Sequence, residues 1–223
     1  MTSPDISGHA GTLHERQLRL RGILAGLIPV IIMGAVLFLA AGTILWPAAW
    51  LILLSIVAAV IVVSLTCSTD LVLERTRKQA GAKDWDAHLV RLMNLLGLLP
   101  LLVAGLDFRF GWTNQITLPV QAGAVVLFIV GYCLFSWAML TNRFFSLIVR
   151  IQEEKGHTVI TGGPYRFVRH PGYAGFFIIV LAQPVILGSI PALIPAIITA
   201  GLIVLRTARE DATLQEELPG YRE

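Results

Sequence analysis

Apolar residues in this chain come in blocks the length of membrane spans. Four stretches, 22–42, 48–67, 89–106 and 118–140, are close to the residue count a helix needs to cross a bilayer core. A further block, 174–205, is too long for one upright span and is interrupted by Gly188, Pro191 and Pro195. It predicts a helical hairpin, 174–188 and 191–205, or else one kinked span. The fold class expected is all-α: a multi-pass membrane helix bundle of about six spans, or five without the hairpin. Pro29 and Gly34 inside the first span are tolerable where neighbouring helices cover the freed backbone groups. That first span is expected to be retained, since no small-residue cleavage pattern follows a short apolar core.

The polar segments are few. Residues 1–15 read as a loose tail, in which His9 and His14 carry no role. Residues 70–88 form a charged loop, and 141–172 a longer one. The end, 206–223, reads as an amphipathic helix, with Leu205, Leu214 and Leu218 set against Arg209, Asp211, Glu216 and Glu217. Trp46 and Trp112 fall at expected interfaces. The organisation expected is one membrane domain over 1–223, with four N-terminal spans in 1–140 and a catalytic region in 141–223.

Composition sharpens this picture. The chain of 223 residues is 56% apolar and only 14% charged, whereas soluble domains carry about 25% charge. The net charge of +3 matters less than its distribution. With the N-terminus inside, 16 of the 17 Lys and Arg residues fall on the cytoplasmic side, and only Arg109 falls outside. That count favours six spans, because six return the basic tail to the cytoplasm. Cys67 and Cys133 lie in or beside apolar runs and read as small buried residues. No metal-ligand spacing occurs, and neither metal nor nucleic acid is expected.

One stretch stands apart. Gly162 to Gly175 packs Gly, Pro, Tyr, Arg and His together where a membrane helix begins. Anchoring to anionic headgroups would need only charge, not His, Tyr and turn-formers in close succession. Upstream, Thr158-Val159-Ile160 is β-prone and could present backbone groups to a purine edge, with Tyr165 or Tyr173 as an aromatic wall. The His170-Pro171 step favours extended backbone at His170. Gly172 and Gly175 permit close approach at the next helix start, which is suited to a carboxylate. In the tail, Arg206 and Glu210 are four apart on one helix face and emerge on the same side.

Taken together, Gly163-Pro164-Tyr165, Arg169-His170-Pro171-Gly172-Tyr173-Ala174-Gly175, the upstream His157-Thr158-Val159-Ile160 and the downstream Arg206-x-x-x-Glu210-Asp211-x-x-Leu214 resemble the isoprenylcysteine carboxyl methyltransferase family, which also includes phospholipid methyltransferase relatives. The resemblance covers about 141–221. It implies S-adenosyl-L-methionine as methyl donor. It also implies donor contacts from Gln152, His157, Thr158, Val159, Ile160, Tyr165, His170, Pro171, Gly172, Tyr173 and Glu210. Arg206 and Glu210 would be the catalytic pair, with Arg206 facing the acceptor. The family commonly has Glu-Glu where this chain has Glu210-Asp211, which keeps the charge.

The chemistry of these residues agrees. Methyl transfer from a sulfonium to an anion cancels two opposite charges, so a dry pocket helps. A carboxylate or thiolate acceptor needs positioning and a cation rather than a strong base, and Arg206 offers fork geometry for a carboxylate. The partner expected is a lipophilic or lipid-anchored acceptor entering from the bilayer, its identity open among isoprenoid-like carboxylates, thiols, amines and lipid headgroups. The alternative is an NADPH-dependent sterol-type membrane reductase, a class with a similar Arg-His-Pro-x-Tyr-x-Gly element but more basic contacts and a longer tail. A transporter would place ionisable residues inside the spans, and these spans carry almost none.

Overall fold

The computed structural model describes residues 6–67, 81, 83–113 and 116–222, with side chains from residue 16 onward. Seven α-helices carry the described fold: α1 (Ile6–Ala41), α2 (Pro47–Thr66), α3 (Asp84–Leu96), α4 (Leu99–Phe110), α5 (Leu118–Thr141), α6 (Pro171–Ile186) and α7 (Leu193–Glu217). Short 3-10 turns occupy Glu153–Lys155 and Gly163–Arg166, and no strand occurs among the described residues. Thr158-Val159-Ile160, read as β-prone, is irregular backbone.

The expected multi-pass membrane bundle is present, and its elements differ from the expected ones in three ways. First, α1 begins at Ile6 rather than near 22. No proline precedes Pro29 within the helix, so nothing in the backbone stops the helix from extending through the polar segment. Second, the third apolar block is two helices, α3 and α4, separated at Gly97-Leu98. Pro100, in the first turn of α4, has no N–H to give the Leu96 carbonyl. Third, the tail is not a separate helix. α7 runs unbroken from the apolar Leu193 to the charged Glu217. The hairpin between α6 and α7 is as expected, its turn closed by Gly188 at φ +77°. The expected charged-loop residues Glu74, Arg75, Arg77 and Lys78 lie outside the described residues, as do the side chains of His9 and His14.

α1, α2, the α3–α4 pair and α5 are long and apolar enough to cross a membrane, and α6 is a shorter apolar helix. Their outer faces suit lipid: Leu24, Ile31 and Leu39 of α1 and Ile194 and Ile197 of α7 are each more than half exposed. At one end of the bundle Trp46 stacks on Phe108 at 4.4 Å between ring centres. Arg109 lies at that same end, beside Gly42. The start of α3, the end of α5, the 142–170 segment and the end of α7 lie together at the opposite end.

Lipid gives helices no hydrophobic reason to associate, so close backbone packing must hold the bundle. α5 and α6 meet at Gly131 and Gly175. A Cβ on Gly175 would lie 2.6 Å from the Gly131 carbonyl oxygen and 2.7 Å from the Phe135 nitrogen. A Cβ on Gly105 of α4 would lie 2.8 Å from the Leu37 carbonyl oxygen of α1. These crossings bring α6 close to α5, and α4 close to α1. Gly175→Ala should therefore destabilise by about 1–3 kcal/mol through overpacking. Gly201→Ala, where nothing lies within 4 Å, should instead stabilise by about 0.5–1 kcal/mol by restricting the unfolded chain. Thermal unfolding in one detergent compares the two, and equal shifts would refute the crossing as the cause.

Candidate functional site

The site is built from α7 outward. Thr199, Arg206, Glu210 and Leu214 lie at spacings of seven, four and four residues, which keeps them on one helix face, and all four line a single cavity of about 900 Å³. Arg206 shares this face with Glu210 but makes no hydrogen bond to it among the described residues. It reaches α3 instead: Nε donates to Asp86 Oδ1 at 2.7 Å and Nη2 to Asp86 Oδ2 at 2.8 Å. Nη2 also donates to the Leu147 carbonyl at 2.7 Å. Asp86 is fully buried, and its Oδ2 also accepts the Val149 N–H at 2.7 Å. The aspartate sits in the first turn of α3, where the helix dipole favours negative charge.

Glu210 accepts a hydrogen bond from the Tyr173 hydroxyl. The Arg206 guanidinium lies 5.3 Å from the centre of the Tyr173 ring, so Asp86, Arg206, Tyr173 and Glu210 form one continuous wall. Beside it, His170 Nε2 lies 3.0 Å from Asp211 Oδ1, and the Tyr221 hydroxyl donates to the same oxygen at 2.9 Å. Burial opposes ionisation of Asp211, but hydrogen bonds from His170, Tyr221 and Gln215 outweigh it and hold its carboxyl below the usual range. Burial, and then the bond to Asp211, push the Tyr221 phenol up. His170 is thereby tied to the end of the chain. Its backbone, at φ −127° and ψ 62°, stays outside the helical region, in keeping with the proline that follows.

The opposite wall comes from the 142–161 segment. Asn142 ends α5, its Oδ1 accepting the Phe144 N–H at 2.9 Å and its Nδ2 donating to the Tyr165 hydroxyl at 3.3 Å. Gln152 is fully buried and donates through Nε2 to the Phe144 carbonyl at 2.8 Å. The Gln152 backbone N–H donates to His157 Nδ1 at 3.3 Å. Burial first, then Arg150 and Arg143, hold the His157 imidazole below its ordinary value, so the ring is neutral and Nδ1 is free to accept. Burial pushes the Tyr165 phenol up to about 12. Among the described residues, 158–161 make no backbone–backbone hydrogen bond outside regular structure, and they line the cavity. Gly163, at φ +54°, turns the chain back against α5, where a Cβ would lie 2.7 Å from Thr141 Oγ1.

The cavity thus gathers His157, Thr158, Val159, Ile160, Tyr165, His170, Gly172, Tyr173, Arg206 and Glu210 on its walls. Gln152 and Pro171 are not among its lining residues. Gln152 braces the loop through its bond to Phe144, and Pro171 is buried at the start of α6. From the polar end the cavity continues between the helices, past Phe176 of α6, Phe135 of α5, Met93 of α3 and Pro29 and Met33 of α1. Sequence reasoning assigned no role to Asp86, Asn142 or Tyr221. A signal for Asp86 exists: with Leu89 and Met93 it forms a buried stripe three and four residues apart, which places a carboxylate on the inner face of an amphipathic helix.

Residues 124–216 match the family model of the isoprenylcysteine carboxyl methyltransferase family. The protein-S-isoprenylcysteine O-methyltransferase of Schizosaccharomyces pombe is 33% identical over 130 residues, which is 51% of this chain and 55% of that protein. A probable protein-S-isoprenylcysteine O-methyltransferase of Oryza sativa subsp. japonica is 41% identical over 64 residues, 28% of this chain and 34% of that one. Protein-S-isoprenylcysteine O-methyltransferase A of Arabidopsis thaliana is 38% identical over 55 residues, 24% and 28% respectively. The chain therefore spans about half, or less, of the length of the curated relatives it matches. The matched stretch includes the end of α5, the 142–161 segment, Tyr173 and the Arg206–Glu210 face of α7, but neither Asp86 nor Tyr221. Over residues 124–216 the chain is thus similar to the isoprenylcysteine carboxyl methyltransferase family.

Proposed function

We propose that the protein is a membrane methyltransferase that takes its methyl group from S-adenosyl-L-methionine and passes it to a lipophilic acceptor. The observation that carries this reading is the single cavity, polar at one end of the bundle and apolar between the helices. A water-soluble donor and a membrane-borne acceptor could meet in such a space. The relatives' names supply the favoured acceptor class, the carboxylate of an isoprenylated cysteine. The polar end faces the cytoplasm in this reading, since the basic residues gather there and Arg109 lies at the other end.

The residues fit the donor's chemistry. Among the described residues, the backbone of 157–161 makes no backbone–backbone hydrogen bond outside regular structure, which leaves it available to a purine edge. Tyr165, neutral at physiological pH, supplies a flat wall. Glu210 places a carboxylate where an ammonium group can pair with it, and Tyr173 fixes that carboxylate by donating to it. His170 and Gly172 complete the wall near the start of α6. Gln152 and Pro171 support this set from behind. When bound, the donor supplies a sulfonium-borne methyl group. Arg206 orients the acceptor, and the enclosing helices keep water from stabilising the separated charges. The transfer forms a bond from methyl carbon to acceptor oxygen or sulfur and breaks the methyl–sulfonium bond. An ionised acceptor makes no demand for a general base. The relatives' names favour this over the NADPH-dependent reductase.

Purified protein in nanodiscs, given methyl-labelled donor and an S-farnesylcysteine acid, should yield a base-labile methyl ester. A base-stable product, or none with this acceptor, would overturn the carboxylate assignment. Glu210→Gln should weaken binding of S-adenosylhomocysteine by roughly 10–100-fold, the value of a hydrogen bond to a charged group. Arg206→Lys should leave that binding within about twofold while cutting transfer by at least about tenfold, because the guanidinium fork is lost. Arg206→Ala is a poorer probe, since it strands the buried Asp86.

Binding should also depend on pH through His157. Its neutral form is the one the fold favours, so the Gln152–His157 bond is intact at high pH and is lost as pH falls through a pKa below the ordinary 6.5. S-adenosylhomocysteine affinity, titrated by calorimetry from about pH 8 to about pH 5, should be flat above 6.5 and fall on the acid side. The acid limb should vanish in His157→Gln. A fall that begins above 6.5, or one that persists in the variant, would assign it to another group.

A further inference from the structure

The interaction nearest the acceptor arginine is one that no motif announced. Asp86 comes from α3, outside the matched residues 124–216. It occupies one whole edge of Arg206, taking Nε on one oxygen and Nη2 on the other at 2.7 and 2.8 Å. The Leu147 carbonyl takes Nη2 as well. Among the described residues, Nη1 donates to no protein group, and Arg206 lines the cavity. The guanidinium plane is further fixed by the Tyr173 ring 5.3 Å away.

We infer that Asp86 is a positioning residue for transfer, clamping the Nε/Nη2 edge of Arg206 so that only the Nη1 corner faces the acceptor. The inference rests on the methyltransferase reading. The fork geometry expected to meet a carboxylate is spent on Asp86, so Arg206 holds the acceptor end-on, through a single atom. Stability does not explain the pair: replacing a buried ion pair with apolar residues of similar volume is often neutral or favourable. Here a carboxylate is kept fully buried behind the cavity wall, and the bonds its oxygens make go to Arg206 and Val149, which line the cavity. It holds Arg206 directly, and through the Val149 N–H it fixes the segment whose Leu147 carbonyl also holds Arg206. A flexible arginine would sample many rotamers, and small displacements at a reacting centre cost up to about 100-fold in rate.

The test uses the full-length protein in nanodiscs, with Asp86→Asn, Asp86→Glu, Arg206→Lys and the double variant Asp86→Asn/Arg206→Lys. Asp86→Asn should keep S-adenosylhomocysteine affinity within about twofold and lower kcat by about 10–100-fold, with a smaller change in the acceptor KM. Asp86→Glu retains a carboxylate and should recover part of that loss. In the Arg206→Lys background, where the fork is already absent, Asp86→Asn should cost several-fold less than in wild type. If Asp86→Asn does not fold, Asp86→Glu against wild type, with and without Arg206→Lys, carries the same comparison. Wild-type kcat in Asp86→Asn, a parallel loss of donor binding, or equal losses in both arginine backgrounds would each overturn the inference. Wild-type protein that neither binds S-adenosylhomocysteine nor transfers methyl would instead overturn the methyltransferase reading itself.

Discussion

A buried carboxylate on one helix, bonded through both oxygens to an arginine on another, joins the two halves of this molecule. Asp86 lies near the start of α3 and Arg206 where the apolar part of α7 gives way to its charged part. Neither charge tolerates this depth alone, because an unpaired ion in a dry environment costs several kcal/mol. Their pairing fixes how α7 leaves the bundle. One turn later on α7, Glu210 and its neighbour Asp211 hold Tyr173 and His170 at the start of α6 through contacts of their own. The polar wall of the cavity combines these two sets of contacts.

The helices around the wall obey a second constraint. Backbone polar groups inside a membrane must be bonded or must face a cavity. The break at Gly97-Leu98 respects this, since both residues line the cavity rather than the lipid. Glycines do the rest. Gly131 and Gly175 bring α5 and α6 into backbone contact, so Tyr165, which follows α5, and Tyr173, on α6, face a common space. The cavity is therefore not a gap in poor packing. It is what remains between helices whose crossings are set elsewhere by small residues.

Much of this was legible in the sequence. Span lengths and the α6–α7 hairpin followed from apolar runs and their interruptions at Gly188 and Pro191. The clustering of motif residues around one cavity followed from their types. What was not legible has physical causes. Pro100 breaks the third span without interrupting its hydropathy, so an apolar count sees one block where the backbone forms two helices. Arg206 and Glu210 share a helix face, but pairing within a helix is worth only a few tenths of a kcal/mol. A bidentate buried partner 120 positions away in the chain outcompetes it. Gln152 carries a polar side chain close to the motif, yet the carbonyl it reaches belongs to Phe144, which a linear reading cannot place. Asp86 looked like one more charge in a charged loop. Only its spacing with Leu89 and Met93 betrayed an inward-facing position.

A cavity of this make-up could take either a methyl donor or a nicotinamide, and a methyltransferase and a reductase differ in what binds. Calorimetry on the nanodisc-embedded protein, titrated in parallel with S-adenosylhomocysteine and with NADPH, tells them apart most directly. A methyltransferase should show saturable binding of S-adenosylhomocysteine and no heat above dilution with NADPH. Saturable binding of NADPH with none of S-adenosylhomocysteine would contradict the methyltransferase reading.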